Sequence, residues 1–321
     1  MTAQREPAES LKSTNGLIHE YPASTAEEFW EYISPQRYLF RPQSKPIFRG
    51  QRCETWHLEP SILRKKWHPV YSSVVFRSSP DISECRIFTE IAALDRFARY
   101  CDSSGLHIPG DSDEFRRKYL DPTKVMDDFI SNRRTWPSEE YFQIMALAQH
   151  HGLPTRLLDW TERSYVAAYF AASGALTAGT SVSGRLAVWA FNNEDIRTTS
   201  IRVIPVPGNN SANIAAQSGL FTLLTQEYTR GEPFGGPQCL DEYVVSCGSN
   251  ELAKITLPVC EAPKIIDLCE RYGVTAATVY PDFYGAAKAT LDWLACGARS
   301  GWTDGRDIRA QTLPVPRAVS R

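Results

Sequence analysis

The sequence predicts an α+β fold with a helical insertion in its N-terminal half. Between about residues 81 and 150 apolar side chains recur at helical spacing. By contrast, residues 185–191 (RLAVWAF), 219–224 (GLFTLL) and 252–257 (LAKITL) are apolar runs of strand length. No repeat and no long linker separates the two halves, so residues 16–296 read as one domain with an insertion at about 81–150.

A first helix is expected from Ser24 or Thr25 (STAEEFWEYIS), because either hydroxyl can accept from first-turn amides. SKPIFRGQ then reads as a strand running into a Gly turn, which puts Arg49 at a strand end. From Asp81 to Tyr100, the residues Ile87, Ile91, Leu94, Phe97 and Ala98 mark one helical face, with Asp81 or Ser83 as its cap. Helices follow over 112–131 and 138–150, and Gly152 with Pro154 ends the second. Thr155 to Trp160 has strand length. Thr161 or Ser164 caps a helix over Tyr165 to Ala172 that Gly174 closes. In the second half AATVY (276–280) reads as a further strand, and helices are expected at about 261–272 and 283–296. Residues 1–15 and 297–321 lack apolar periodicity and read as flexible tails.

Composition narrows the function classes. An apolar fraction of 42% with 22% charged residues is that of a folded globular protein. A net charge of −2 supplies no overall attraction for nucleic acid or an anionic membrane. The first residues lack the apolar core of a signal peptide, and no segment reaches the roughly 18 to 20 apolar residues of a spanning helix. The eight cysteines form no CxxC pair and read as reduced thiols, so a cytoplasmic protein without a membrane partner is expected. Neither GxxxxGK[ST] nor GxSxG occurs, which removes the usual NTPase and α/β-hydrolase readings.

Three segments carry candidate chemistry. In Phe48-Arg49-Gly50, an arginine fork beside a glycine can hold an anionic group where backbone comes close to a ligand, or can simply be salt-bridged at a turn. In QHHGLPTRLLDWTERSYVAAYFAA (149–172), His150, Arg156, Asp159 and Thr161 flank an apolar dyad. Strand alternation there points Arg156 and Asp159 apart, so each needs its own partner. Asp159 either faces a ligand or accepts amides at the next helix N-terminus. His150 is a general base, a donor to substrate, or a satisfied histidine at a helix end. Adjacent histidines do not share a helix face, and no third ligand lies at a metal-site spacing, so no metal is expected. In AAQSGLFTLLTQE, Gln217 can present its amide to a ligand at the strand edge, with Glu227 a carboxylate farther on, or either residue is ordinary surface.

Taken in order, PIFRGQ, WHLEPSILR, ALAQHHGLPTRLLDWTERSYVAAYFAA, NIAAQSGLFTL, LAKITLP and TVYPDFYGAAKATL closely resemble the FRG domain family over about residues 25–296. The resemblance implies a bacterial or phage-associated protein, with a role in phage defence or as a toxin effector. The same order is similar, more distantly, to the three-part signature of ADP-ribosyltransferases. That likeness implies a mixed sheet of that type and NAD as candidate substrate, with a protein or nucleic-acid acceptor. Arg49 and Gly50 would then hold the dinucleotide, Asp159 and Thr161 would shape the pocket, and Gln217 would occupy the third position. In such enzymes a late glutamate stabilises the positive charge that develops as nicotinamide leaves. Gln217 cannot carry that charge. The expectation is a nucleotide-type pocket of Arg49, Gly50, His150, Arg156, Asp159, Thr161 and Gln217. The alternatives are a non-catalytic sensing module, and a hydrolase or nuclease using His150 and Asp159.

Overall fold

Short apolar runs covered on both faces form the centre of the sheet, as in Arg185–Phe191, which is buried at every position after Arg185. The computed structural model describes residues 11–12, 16–64, 82–124, 135–177, 184–194, 198–205 and 212–300. Its strands are β1 (Leu11–Lys12), β2 (Ile18–Pro22), β3 (Ile47–Gln51), β4 (Thr135–Trp136), β5 (Leu157–Thr161), β6 (Arg185–Phe191), β7 (Ile201–Pro205), β8 (Gly219–Leu224), β9 (Gln226–Glu227) and β10 (Leu252–Pro258). Eight form one sheet in the order β1-β2-β10-β6-β3-β5-β8-β7, while β4 and β9 make a separate ladder. The β2–β10 pair is parallel and the other pairs are antiparallel, so the fold is a mixed α/β arrangement around a mixed sheet.

The helices are α1 (Ala26–Tyr32), α2 (Ser83–Ser103), α3 (Phe142–His150), α4 (Ser164–Thr177), α5 (Ala212–Gln217), α6 (Leu240–Ser246), α7 (Ala262–Arg271), α8 (Ala276–Val279) and α9 (Phe283–Ser300). α1, α4 and α7 cover one face, where Ala167, Ala171 and Ile265 meet Val188, Ala190 and Ile255. α6 and Leu58 cover part of the other face, over Trp189 and Phe191. α2 and α3 build a further core on β5 and β8 through Leu157, Phe221 and Leu223. Burial of these apolar faces supplies most of the stability.

Several expectations are corrected. The strand of Arg49 does not turn at Gly50; it continues to Gln51, leaving Arg49 mid-strand. Gly50 lies instead against α4, where an added Cβ would fall 2.0 Å from the Ala167 carbonyl oxygen. The helix expected over 112–131 is interrupted: a helical turn, Asp113–Phe115, capped by the Ser112 hydroxyl, continues as a π-helical segment to Leu120, and residues 122–124 are helical again. It breaks at Asp121, because the residue before Pro122 is pushed out of the helical region, and residues 125–131 lie outside those described. Residues 276–279 are helical rather than extended, since Thr275 and Thr278 form a reciprocal capping box. Ser83 is the first residue of α2 and its hydroxyl donates to the Thr229 carbonyl, while Asp81 lies outside the described residues. α4 runs past Gly174 to Thr177, and α9 reaches Ser300. The remaining tail residues, 1–10, 13–15 and 301–321, are not among those described.

No helix among the described residues is long and apolar enough to cross a membrane, and no group of three or more His, Cys, Asp or Glu among them has metal-holding geometry. All eight cysteines are free, with Cys85, Cys101 and Cys269 buried.

One ionic tie on the α6 side gives a pH signature. His57 Nδ1 lies 2.8 Å from the buried Asp241 carboxylate, whose other oxygen accepts the Leu58 amide at 2.8 Å. The hydrogen bond to Asp241 raises the His57 pKa above its ordinary value. A raised folded-state pKa contributes stability that is full below the unfolded pKa of about 6.5 and fades as pH rises through the folded value. Urea midpoints of wild type and His57→Gln should therefore differ most near pH 5.5 and converge toward pH 8.5. A gap that widens with pH would refute the assignment.

Candidate functional site

β3 and β5 are registered at a single pair, Phe48 with Thr161, and a cleft of about 420 Å³ opens beside that short ladder. The sheet delivers Arg49 and Gly50 from β3 and Asp159 to Thr161 from β5, α3 brings Gln149 and His150, and α5 brings Asn213 and Gln217. Phe48, Phe170, Phe221 and Tyr280 supply aromatic walls.

Arg49 is the organising cation. Its side chain is only 13% exposed, and Nη1 donates to the Asp159 carbonyl at 2.6 Å and to Asp159 Oδ2 at 3.2 Å. The guanidinium thus supplies a bond that a longer β3–β5 ladder would have given to that carbonyl. Its Nε is buried and has no hydrogen-bond partner among the described residues. An unmet buried donor on a charged fork is costly unless something else completes it.

Asp159 is held from its other side by Gln149. The Gln149 amide donates to Asp159 Oδ1 at 3.1 Å and to the Leu157 carbonyl at 3.0 Å, while its oxygen accepts from Thr155 Oγ1 at 2.6 Å. The carboxylate is engaged by Arg49 and Gln149 rather than by amides at the start of α4, so it is not a helix cap. Strand alternation requires only that Asp159 look away from Arg156, and it does not name either of these partners.

His150 lines the cleft at the end of α3. Burial lowers its pKa, the neighbouring His151 adds to this, and Asp159 opposes it, which favours the neutral ring at pH 7. Thr161 is buried and its hydroxyl donates to the Gln217 carbonyl at 2.6 Å while accepting the Arg163 amide, so it ties β5 to the end of α5. Gln217 closes α5 rather than opening a strand edge, and its Nε2 donates to the Val279 carbonyl at 3.0 Å.

Two candidates lie elsewhere. Arg156 is 3% exposed, its Nε lies 2.8 and 2.9 Å from the two oxygens of the buried Glu90, and Nη1 donates to Gln226 at 2.8 Å. Its guanidinium stacks over Phe234 at 4.4 Å, and Trp136 Nε1 donates to the same Glu90 at 2.9 Å. Arg156 belongs to the core of the insertion and does not line the cleft. Glu227 pairs with Thr135 in the small β4–β9 ladder and is also outside the lining. Asp159 is the one carboxylate among the lining residues.

Sequence reasoning misses Gln149, Phe170 and Tyr280. Each lies inside a stretch that attracts another reading, QHH, AAYFAA or TVYPDFYG, and nothing in local pattern separates a cleft-lining aromatic from a core one. Arg64 is missed too: burial, followed by the adjacent Arg49 charge, lowers its pKa, so a second arginine neighbours the anchor.

The fold and cleft define a mixed α/β domain with an arginine-anchored polar site at the junction of two central strands. Residues 44–179 match the model of the FRG domain. No curated protein and no solved structure gives a match to the chain. The matched span includes Arg49, Gly50, His150, Asp159 and Thr161, whereas Gln217 and Tyr280 lie beyond it.

Proposed function

We propose that the cleft binds a nucleotide-type ligand, with NAD as the candidate substrate and ADP-ribosyl transfer as the candidate reaction. The observation that carries this reading is the buried Nε of Arg49, unpartnered among the described residues, in an aromatic-walled cleft. A phosphate oxygen completes that donor, and flat walls suit a heteroaromatic ring. Arg49 would hold the phosphate, with Gly50 part of the cleft lining beside it, and neutral His150 would donate to or accept from the ligand. NAD supplies the ribosyl group and the nicotinamide leaving group. The carboxylate available to oppose developing positive charge is Asp159, steadied by Gln149 and partly neutralised by Arg49. On family context we assign the protein to phage defence or to a toxin effector role.

That partial neutralisation, with glutamine at the third position, favours a second reading: a sensing module that binds the nucleotide without transfer. A hydrolase or nuclease using His150 and Asp159 draws on the same residues but finds Asp159 already held from both sides.

Calorimetric titration with NAD, alongside Arg49→Ala, tests the reading. Saturable binding is expected in the wild type and at least a tenfold weakening in the variant, since hydrogen bonds to charged groups contribute about 1.5–3 kcal/mol. Released nicotinamide, followed by mass spectrometry, selects transfer over sensing. Equal affinity in both proteins would remove Arg49 as anchor.

A further inference from the structure

Gln217 and Tyr280 are held on one wall of the cleft, because the Gln217 amide nitrogen bonds the carbonyl of Val279, the residue before Tyr280. That bond uses one end of the amide. Its oxygen accepts no hydrogen bond among the described residues, and neither does the Tyr280 hydroxyl take part in one. The Tyr280 ring itself is fixed, edge-on to Phe170 at 6.2 Å and to Tyr284 at 5.5 Å. Burial, with smaller contributions from Tyr284, Asp159 and Asp292, pushes the hydroxyl up to about 12, so it keeps its proton at neutral pH. The residues lining the cleft therefore include a hydroxyl donor and an amide acceptor, with aromatic rings also in the lining.

We propose that Tyr280 and Gln217 read the amide-bearing edge of the ligand's ring, a primary carboxamide or an aminated base edge. Each presents an acceptor beside an N–H donor, which complements a hydroxyl donor beside an amide oxygen. The inference rests on the nucleotide reading above and gives Gln217 a role that needs no charge. Arg49 would select for phosphate, and this pair would select among rings.

Tyr280→Phe removes one oxygen and keeps both ring contacts, so it should fold like the wild type. The full chain and this variant would be titrated with NAD, nicotinamide mononucleotide and AMP. A loss of about tenfold for NAD and nicotinamide mononucleotide, with AMP unchanged, supports recognition of the carboxamide. A similar loss for NAD and AMP, with nicotinamide mononucleotide unchanged, supports recognition of the base edge. Affinities within twofold for all three ligands would overturn the pair while leaving the nucleotide reading intact. Failure of all three to saturate the wild type would overturn both. Gln217→Met gives a second reading of the same edge, with its unfolding midpoint measured to separate lost recognition from a loosened α5.

Discussion

Gly50→Ala should destabilise the domain by about 3 kcal/mol or more, the upper range for overpacking a close-packed interior. The added methyl would sit 2.0 Å from the Ala167 carbonyl oxygen, 2.8 Å from the Ala171 amide nitrogen and 3.0 Å from the Ala167 carbonyl carbon. All three are backbone atoms of α4, so no rotamer change relieves the contact. Either α4 lifts from β3 or β3 leaves its place between β5 and β6. A fall in urea midpoint of about 1 M or more is expected for a domain of this size. Because the obstacle is main chain, trimming a neighbour by Ala171→Gly should not restore the midpoint. Full rescue by that second change would show that side-chain crowding, not backbone approach, fixes the glycine.

Arg156→Ala should cost about 3–5 kcal/mol, for a different reason. It strips the buried Glu90 of its ion pair and leaves the Trp136 indole as its hydrogen-bond partner, and the Gln226 side-chain oxygen loses the Arg156 donor. The cost comes from an uncompensated carboxylate, so Arg156→Met combined with Glu90→Gln should be much milder than Arg156→Ala alone. A double-mutant cycle by chemical denaturation measures the coupling. Ligand affinity of the folded fraction should be unchanged, because Arg156 does not line the cleft. Equal losses in the single and double variants would sink the buried-pair account.

These two residues also mark what sequence can and cannot disclose. The strands β3, β6, β8 and β10 are readable because apolar runs of that length between turn residues have few other uses. The Thr25 cap is readable because its partner, the Glu28 amide, is three residues away. Arg156 misleads because its partner Glu90 is 66 residues upstream, on a helix whose packing partner the chain does not announce. The Arg49–Asp159 pair spans 110 residues, and each member alone has a plausible bland role. AATVY misleads because β-branched residues favour strands until a capping box fixes the turn. Strand β7 escapes because its VIP segment carries a proline, which is tolerated there only because the strand lies at the sheet edge.

The mid-sheet location of Arg49 also bears on how binding would respond to heat. β3 is laddered to β6 along its length, meets β5 at one pair and is pressed against α4, so its β6-facing amides should open only late in unfolding. An anchor mounted there is pre-organised, and a ligand loses little entropy in ordering it. Recognition of the anionic group should persist almost to the melting transition and vanish with it, whereas contacts made through the short α5 and α8 segments should loosen earlier.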